Sequence, residues 1–193
     1  MSLPSWRDQA REWSARRLWQ WRLPLLAYLA YTAASGFAAP SSPSWSWFSG
    51  LTLAVHEAGH IIFSPFGEFL TAAGGSITQL AAPLTVAWML KRQGDWFGIS
   101  VGGTWLGYSL ASLATYIGDA RAQELDLVGF TDNPEHDWHY LLGRLGWLRH
   151  DTQLAGLTRA AAAIVLAAAV AFGLWLCLEM YRSRQAGARA ADV

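Results

Sequence analysis

Residues 51–63 read LTLAVHEAGHIIF, a run whose only ionisable side chains are His56, Glu57 and His60. An apolar stretch of this kind, ended by the helix-breaking Ser64-Pro65-Phe66-Gly67, is expected to be a helix. On a helix His56 and His60 lie one turn apart, so their imidazoles project from the same face. Two neutral ring nitrogens on that face can meet one Zn²⁺ at about 2.0–2.1 Å. Glu57 points to the adjacent side, where it can take the proton of a water whose pKa zinc lowers toward neutrality. Ala58 and Gly59 keep the helix surface thin, which lets a partner backbone approach the metal. Ionisable groups at membrane depth are costly unless paired, metal-bound or facing water. The plainer alternative is a polar cluster satisfied by hydrogen bonds between helices, with no metal.

Outward from this run the chain stays apolar. Leu23 to about Ala39 is a first apolar run ended by Pro40, near the short limit for a membrane span and read as a retained signal anchor. Residues 41–50 (SSPSWSWFSG) form a turn-rich connection, with Trp45 and Trp47 as interfacial anchors. On the other side, 69–90 carries no charge, but Gly74-Gly75 and Pro83 argue against one regular helix. Trp96 to Gly118 is charge-free, with Gly102, Gly103 and Gly107 available for close helix contact. Ala160 to Leu178 is Ala-rich, charge-free and the cleanest span.

Only 15% of the 193 residues are charged, 53% are hydrophobic, and there are 12 tryptophans. That balance belongs to an integral membrane protein, and a net charge of zero gives no nucleic-acid surface. Cys177, the single cysteine, has no partner for an intrachain disulfide and is read as packing. The expected fold is all-α: a polytopic membrane helical bundle with four to five membrane segments, of which 69–90 is either a full span or a hairpin that enters and returns. A basic, Trp-rich interfacial segment (1–22) precedes a membrane domain (23–181) with an acidic polar loop at 119–155, and a cytoplasmic tail (182–193) follows. The positive-inside rule puts the N-terminus, Lys91-Arg92 and the C-terminal arginines in the cytoplasm. The polar loop and the start of the HEAGH helix then share the outer side.

The apolar helix carrying HEAGH, followed by a Gly-rich, helix-breaking stretch, resembles the site-2 protease family of intramembrane zinc metalloproteases. HEAGHIIFSPFGEF, GGSITQL, IGDARAQ and EHDW are together similar to a group of small bacterial membrane proteins, which implies a bacterial inner membrane. The resemblance covers about residues 50–140 and implies a zinc site with His56 and His60 as ligands and Glu57 as catalytic base. The implied activity is cleavage of a membrane protein or peptide within or beside the lipid bilayer. In the site-2 pattern a third ligand comes from an Asp-Gly pair on a later transmembrane segment. This sequence has no Asp-Gly dipeptide.

The third ligand therefore stays open among His136, Asp137 and Asp119, preferred in that order. His136-Asp137-Trp138-His139 is the densest remaining cluster of ligand-type side chains, and Asp119 is the positional counterpart of the site-2 aspartate. His139 or Gln79 could donate a hydrogen bond to a transition-state oxyanion. Gly74 and Gly75 could present a strand-like edge to extended substrate, or could make a tight turn between helices. The competing function is a non-catalytic membrane scaffold or partner protein with a structural or vestigial metal site. Diiron hydroxylase chemistry needs more histidines than the five present.

Overall fold

Glu68 to Arg92 forms one unbroken helix, so of the two readings of 69–90 the re-entrant hairpin does not occur. Its glycines do not turn the chain. They let two helices touch: a methyl group on Gly74 would lie 2.7 Å from the carbonyl oxygen of Gly59. Pro83 sits inside the same helix without ending it. A computed structural model describes residues 4–15, 17–38, 47–126 and 136–191. The Trp45 anchor, Pro40 and part of the polar loop (127–135) lie outside them.

Among the described residues the fold is all-helical. Its helices are α1 (Trp6–Ser14), α2 (Arg22–Ala38), α3 (Trp47–Phe63), α4 (Glu68–Arg92), α5 (Phe97–Gly118), α6 (Asp137–Leu145) and α7 (Asp151–Ala191). The breaker after HEAGH is real: Ser64–Phe66 make a 3₁₀ turn, and Gly67 takes φ +90°, a conformation suited to glycine. α3 and α4 pack side by side, α4 returns against α5, and α5 runs along α7 in the most extensive interface of the molecule.

The expectation of four to five membrane segments is overturned. Among the described residues one helical stretch, Leu148–Arg189, is long and apolar enough to cross a membrane. The reasons are length and dilution. Within the described residues α2 and α3 have 17 residues each, about 25 Å at 1.5 Å per residue, short of a hydrocarbon core of about 30 Å. α4 and α5 are longer, but Gly, Ser, Thr and Gln are interleaved with their apolar residues, and many of these face the protein interior: Ser76, Gln79, Ser100, Thr104 and Ser109 are buried. In α5 apolar side chains such as Phe97, Leu113 and Ile117 are buried in helix packing, whereas in α4 Ile77, Leu84 and Trp88 are exposed.

The bundle has two chemically distinct ends. At one, Arg11 pairs with Glu179 at 3.7 Å, Arg22 lies over Phe97 and Trp21, and Lys91 lies over Trp96. At the other, the end of α5 meets the start of α7 through Arg121 and Asp151 (2.7 Å), and α6 closes over the start of α4. The HEAGH helix finishes at this second, polar end, where charge bias alone had it begin, because its last turn lies beside the first turns of α4.

Candidate metal centre

His56 is buried on α3, and its ring is held from behind. Nδ1 lies 2.8 Å from Gln79 Oε1, while Gln79 Nε2 donates to the Ser109 carbonyl at 2.9 Å. A carbonyl only accepts, so the amide orientation follows: Oε1 faces His56, and Nδ1 must carry the hydrogen. His60 repeats the arrangement with a backbone partner, its Nδ1 donating to the Thr71 carbonyl at 2.8 Å. Both Nε2 atoms therefore turn to the same side, where each would present its lone pair to a metal once its proton is displaced.

Asp137 comes to meet them from α6. Its Oδ2 lies 3.1 Å from His56 Nε2 and 3.3 Å from His60 Nε2. Tetrahedral ligands at about 2.0–2.1 Å from one Zn²⁺ are separated from each other by about 3.3 Å. Two imidazole nitrogens and a carboxylate oxygen are also the donor chemistry zinc takes. The donor atoms of His56, Glu57 and His60 lie within 4.8 Å of one another, so this group could hold a metal. Asp137 Oδ2 stands within 3.3 Å of both imidazole nitrogens and adds a second carboxylate to this group. Among the described residues no hydrogen bond engages the Glu57 carboxylate.

Gly75 defines the space between the donors. A methyl group there would lie 2.5 Å from His56 Nε2 and 2.7 Å from His60 Nε2, filling the room a metal needs. The glycine pair read as strand edge or turn is divided in role: Gly74 lets α3 approach, and Gly75 leaves the cradle open.

His136, the first choice for third ligand, has another task. It is the N-cap of α6, where its Nδ1 accepts from the backbone N–H of His139 at 3.3 Å. Its Nε2–H then donates to Asp119 Oδ2 at 3.2 Å. Asp119 also accepts from the backbone of Glu124 and Leu125, so it anchors the chain leaving α5 and is turned away from His56 and His60. His139 donates from Nδ1 to the Ala120 carbonyl at 2.8 Å, and Gln79 Oε1 lies 2.8 Å from His56 Nδ1.

His60 and Asp137 form an ion pair in which the His60 Nε2–H faces the carboxylate, and a metal ion would have to displace that proton. A hydrogen bond with Asp137 raises His60 to about 9 against the opposing effect of burial, and the Asp137 charge adds to the rise. Burial pushes the Asp137 carboxyl up, but hydrogen bonds from His56 and His60 outweigh it and leave it below the ordinary value. Burial lowers His136 despite Asp119, favouring the neutral ring that caps α6.

Tyr116 escaped the sequence reading. Its hydroxyl donates to Asp137 Oδ2 at 3.3 Å and accepts from the Asp137 backbone N–H at 3.0 Å, while its ring packs on His136 at 4.3 Å. In the sequence it is one aromatic in an apolar run and resembles any interfacial tyrosine. Thr71 acts through its backbone, which no side-chain pattern reveals. No family model, curated protein or solved structure matches the chain.

Proposed function

We propose that this chain is a zinc-dependent endopeptidase, held in a membrane by α7, that hydrolyses a peptide bond within or next to the bilayer. The observation that carries the reading is the convergence of His56 Nε2, His60 Nε2 and Asp137 Oδ2 around the space Gly75 leaves open. These three side chains would hold the ion. Bound zinc would supply Lewis acidity and bring the pKa of a water toward neutrality. Glu57, whose carboxylate has no hydrogen-bond partner among the described residues, accepts the proton of the attacking water and hands it to the leaving amine. Gln79 and Thr71 keep both imidazoles in the tautomer that presents Nε2. The Tyr116 hydroxyl holds Asp137 at two points, donating to its carboxylate and accepting from its backbone N–H. Substrate must be locally extended, because a helical backbone shields its carbonyls.

The resemblance to site-2 proteases supports this reading, with Asp137 on α6 supplying the aspartate that the family carries in an Asp-Gly pair. With the basic end of the bundle in the cytoplasm of a bacterial cell, the metal centre faces the opposite side of the inner membrane. The test uses the purified full chain in detergent, supplied with zinc and a quenched-fluorescence library of apolar peptides. Glu57→Gln should keep zinc at wild-type stoichiometry and slow cleavage by about 10²–10⁴-fold. A chain that holds no stoichiometric zinc sinks the proposal. Bound zinc with no Glu57-dependent cleavage would indicate a structural metal in a membrane scaffold.

A further inference from the structure

We propose that the cavity between α1 and α7 binds the phosphate of an anionic phospholipid. The inference rests on α7 crossing a membrane but is independent of the metal centre. The charge-free run Ala160–Leu178, bounded by Arg159 and Glu179, rises about 28 Å, close to a hydrocarbon thickness of about 30 Å. The helix therefore passes from hydrocarbon to headgroups near Trp175 and Glu179. α1 lies against α7 at this level. Trp6 packs its ring on Phe172 and Trp175 at 6.4 and 6.0 Å, and Arg11 reaches Glu179.

A cavity of about 340 Å³ opens between the two helices, lined by Trp6, Arg7, Arg11, Phe172 and Trp175. Arg7 and Arg11 are one helical turn apart, so both guanidinium groups border the same space. Arg7 has no carboxylate partner among the described residues and lies over Trp6 at 5.3 Å. Glu179 is shared between Arg11 and Arg182, at 3.7 and 3.5 Å, so it neutralises neither fully. Of the two acids on α1, Asp8 completes the capping box with Ser5, and neither it nor Glu12 lines the cavity. Two guanidinium groups thus border an aromatic wall at headgroup depth.

This combination fits a lipid with a net negative headgroup. Its phosphate would bridge Arg7 and Arg11, and the upper part of an acyl chain would lie on Phe172 and Trp175. A soluble phosphate would use the arginines but leave the wall bare. A zwitterionic lipid brings its own ammonium to compete with the guanidinium groups.

The experiment uses the full chain and two readouts. Flotation with phosphatidylcholine vesicles, followed by alkaline extraction, reads membrane insertion. Native mass spectrometry from detergent reads retained phosphatidylglycerol against phosphatidylcholine of equal chain length. Wild type should insert and should retain phosphatidylglycerol preferentially. Arg7→Gln/Arg11→Gln should lower that retention by at least about tenfold, while Arg184→Gln/Arg189→Gln, which removes equal charge from the far end of α7, leaves it intact. Helix content by circular dichroism shows whether α1 survives the double substitution. Wild type that inserts but does not prefer phosphatidylglycerol overturns the lipid site alone. Displacement of the lipid by excess glycerol phosphate assigns the site to a soluble anion and also overturns it. Wild type that fails to insert overturns the membrane reading, and the lipid site with it.

Discussion

Gly75 carries a requirement that belongs to one atom. Because a Cβ would sit 2.5 Å from His56 Nε2, Gly75→Ala should reduce bound zinc from stoichiometric to undetectable while α4 gains helix propensity. Metal analysis beside a thermal melt separates the two effects, and a Gly75→Ala protein that still holds zinc would remove the cradle from the site. The cluster was partly legible before any coordinates. A His-x-x-x-His spacing dictates a shared face on any helix, so His56 and His60 needed only local geometry. The third donor could not be read that way. His136 and Asp137 are neighbours in sequence and differ in role only because His136 caps α6 and bonds Asp119, which turns Asp137 toward α3. Choosing between adjacent residues takes the direction of the helix that starts between them.

At the scale of the element, α6 is a short helix whose position rests on side chains at its start. His136 caps it, Tyr116 receives the Asp137 N–H, Trp138 Nε1 donates to Ser76 Oγ at 3.1 Å, and Leu141 and Leu142 are buried. A carboxylate at its first position also meets the favourable end of the helix dipole. His136→Asn keeps a good cap but is too short to reach Asp119, whereas His136→Ala removes both. We expect His136→Ala to cost about 0.5–2 kcal/mol of stability and both variants to weaken zinc binding by about 10–100-fold. Chelator competition and thermal melts check this. Equal zinc affinity in wild type and both variants would show that His136 does not position Asp137. The same scale exposes the misreading of α4. Gly74, Gly75 and Pro83 carry breaker propensities, yet propensity is a weak term once tertiary contact decides: Gly74 and Gly59 face each other across two helices, and the continuous helix is what brings them together.

Across the whole molecule, counting apolar runs overestimated the membrane segments because apolar character has two uses that composition does not separate. Ala160–Leu178 is apolar around its circumference, and Ile164 and Leu174 stay exposed; α5 is apolar but largely buried, with Gly, Ser and Thr where helices meet. Its interface with α7 depends on small residues. A methyl group on Gly103 would lie 2.7 Å from Ala169 Cβ, and one on Gly107 3.0 Å from Leu166 Cβ. α5 also ends in Tyr116 and Asp119, the two residues that hold α6 in place. Displacing α5 from α7 should therefore reach the proposed metal site, even though Gly103 lies against Ala169 and not against His56, His60 or Asp137. Gly103→Leu is expected to destabilise the fold by about 1–3 kcal/mol and to weaken zinc retention at temperatures where the protein is still folded. Gly156→Ala, at a position with nothing nearby, should leave both unchanged. Thermal unfolding in detergent with parallel metal analysis distinguishes the outcomes. Normal zinc retention in a destabilised Gly103→Leu protein would mean that α6 is held by α3 and α4 alone, and that the long α5–α7 interface supports the fold without setting the position of Asp137.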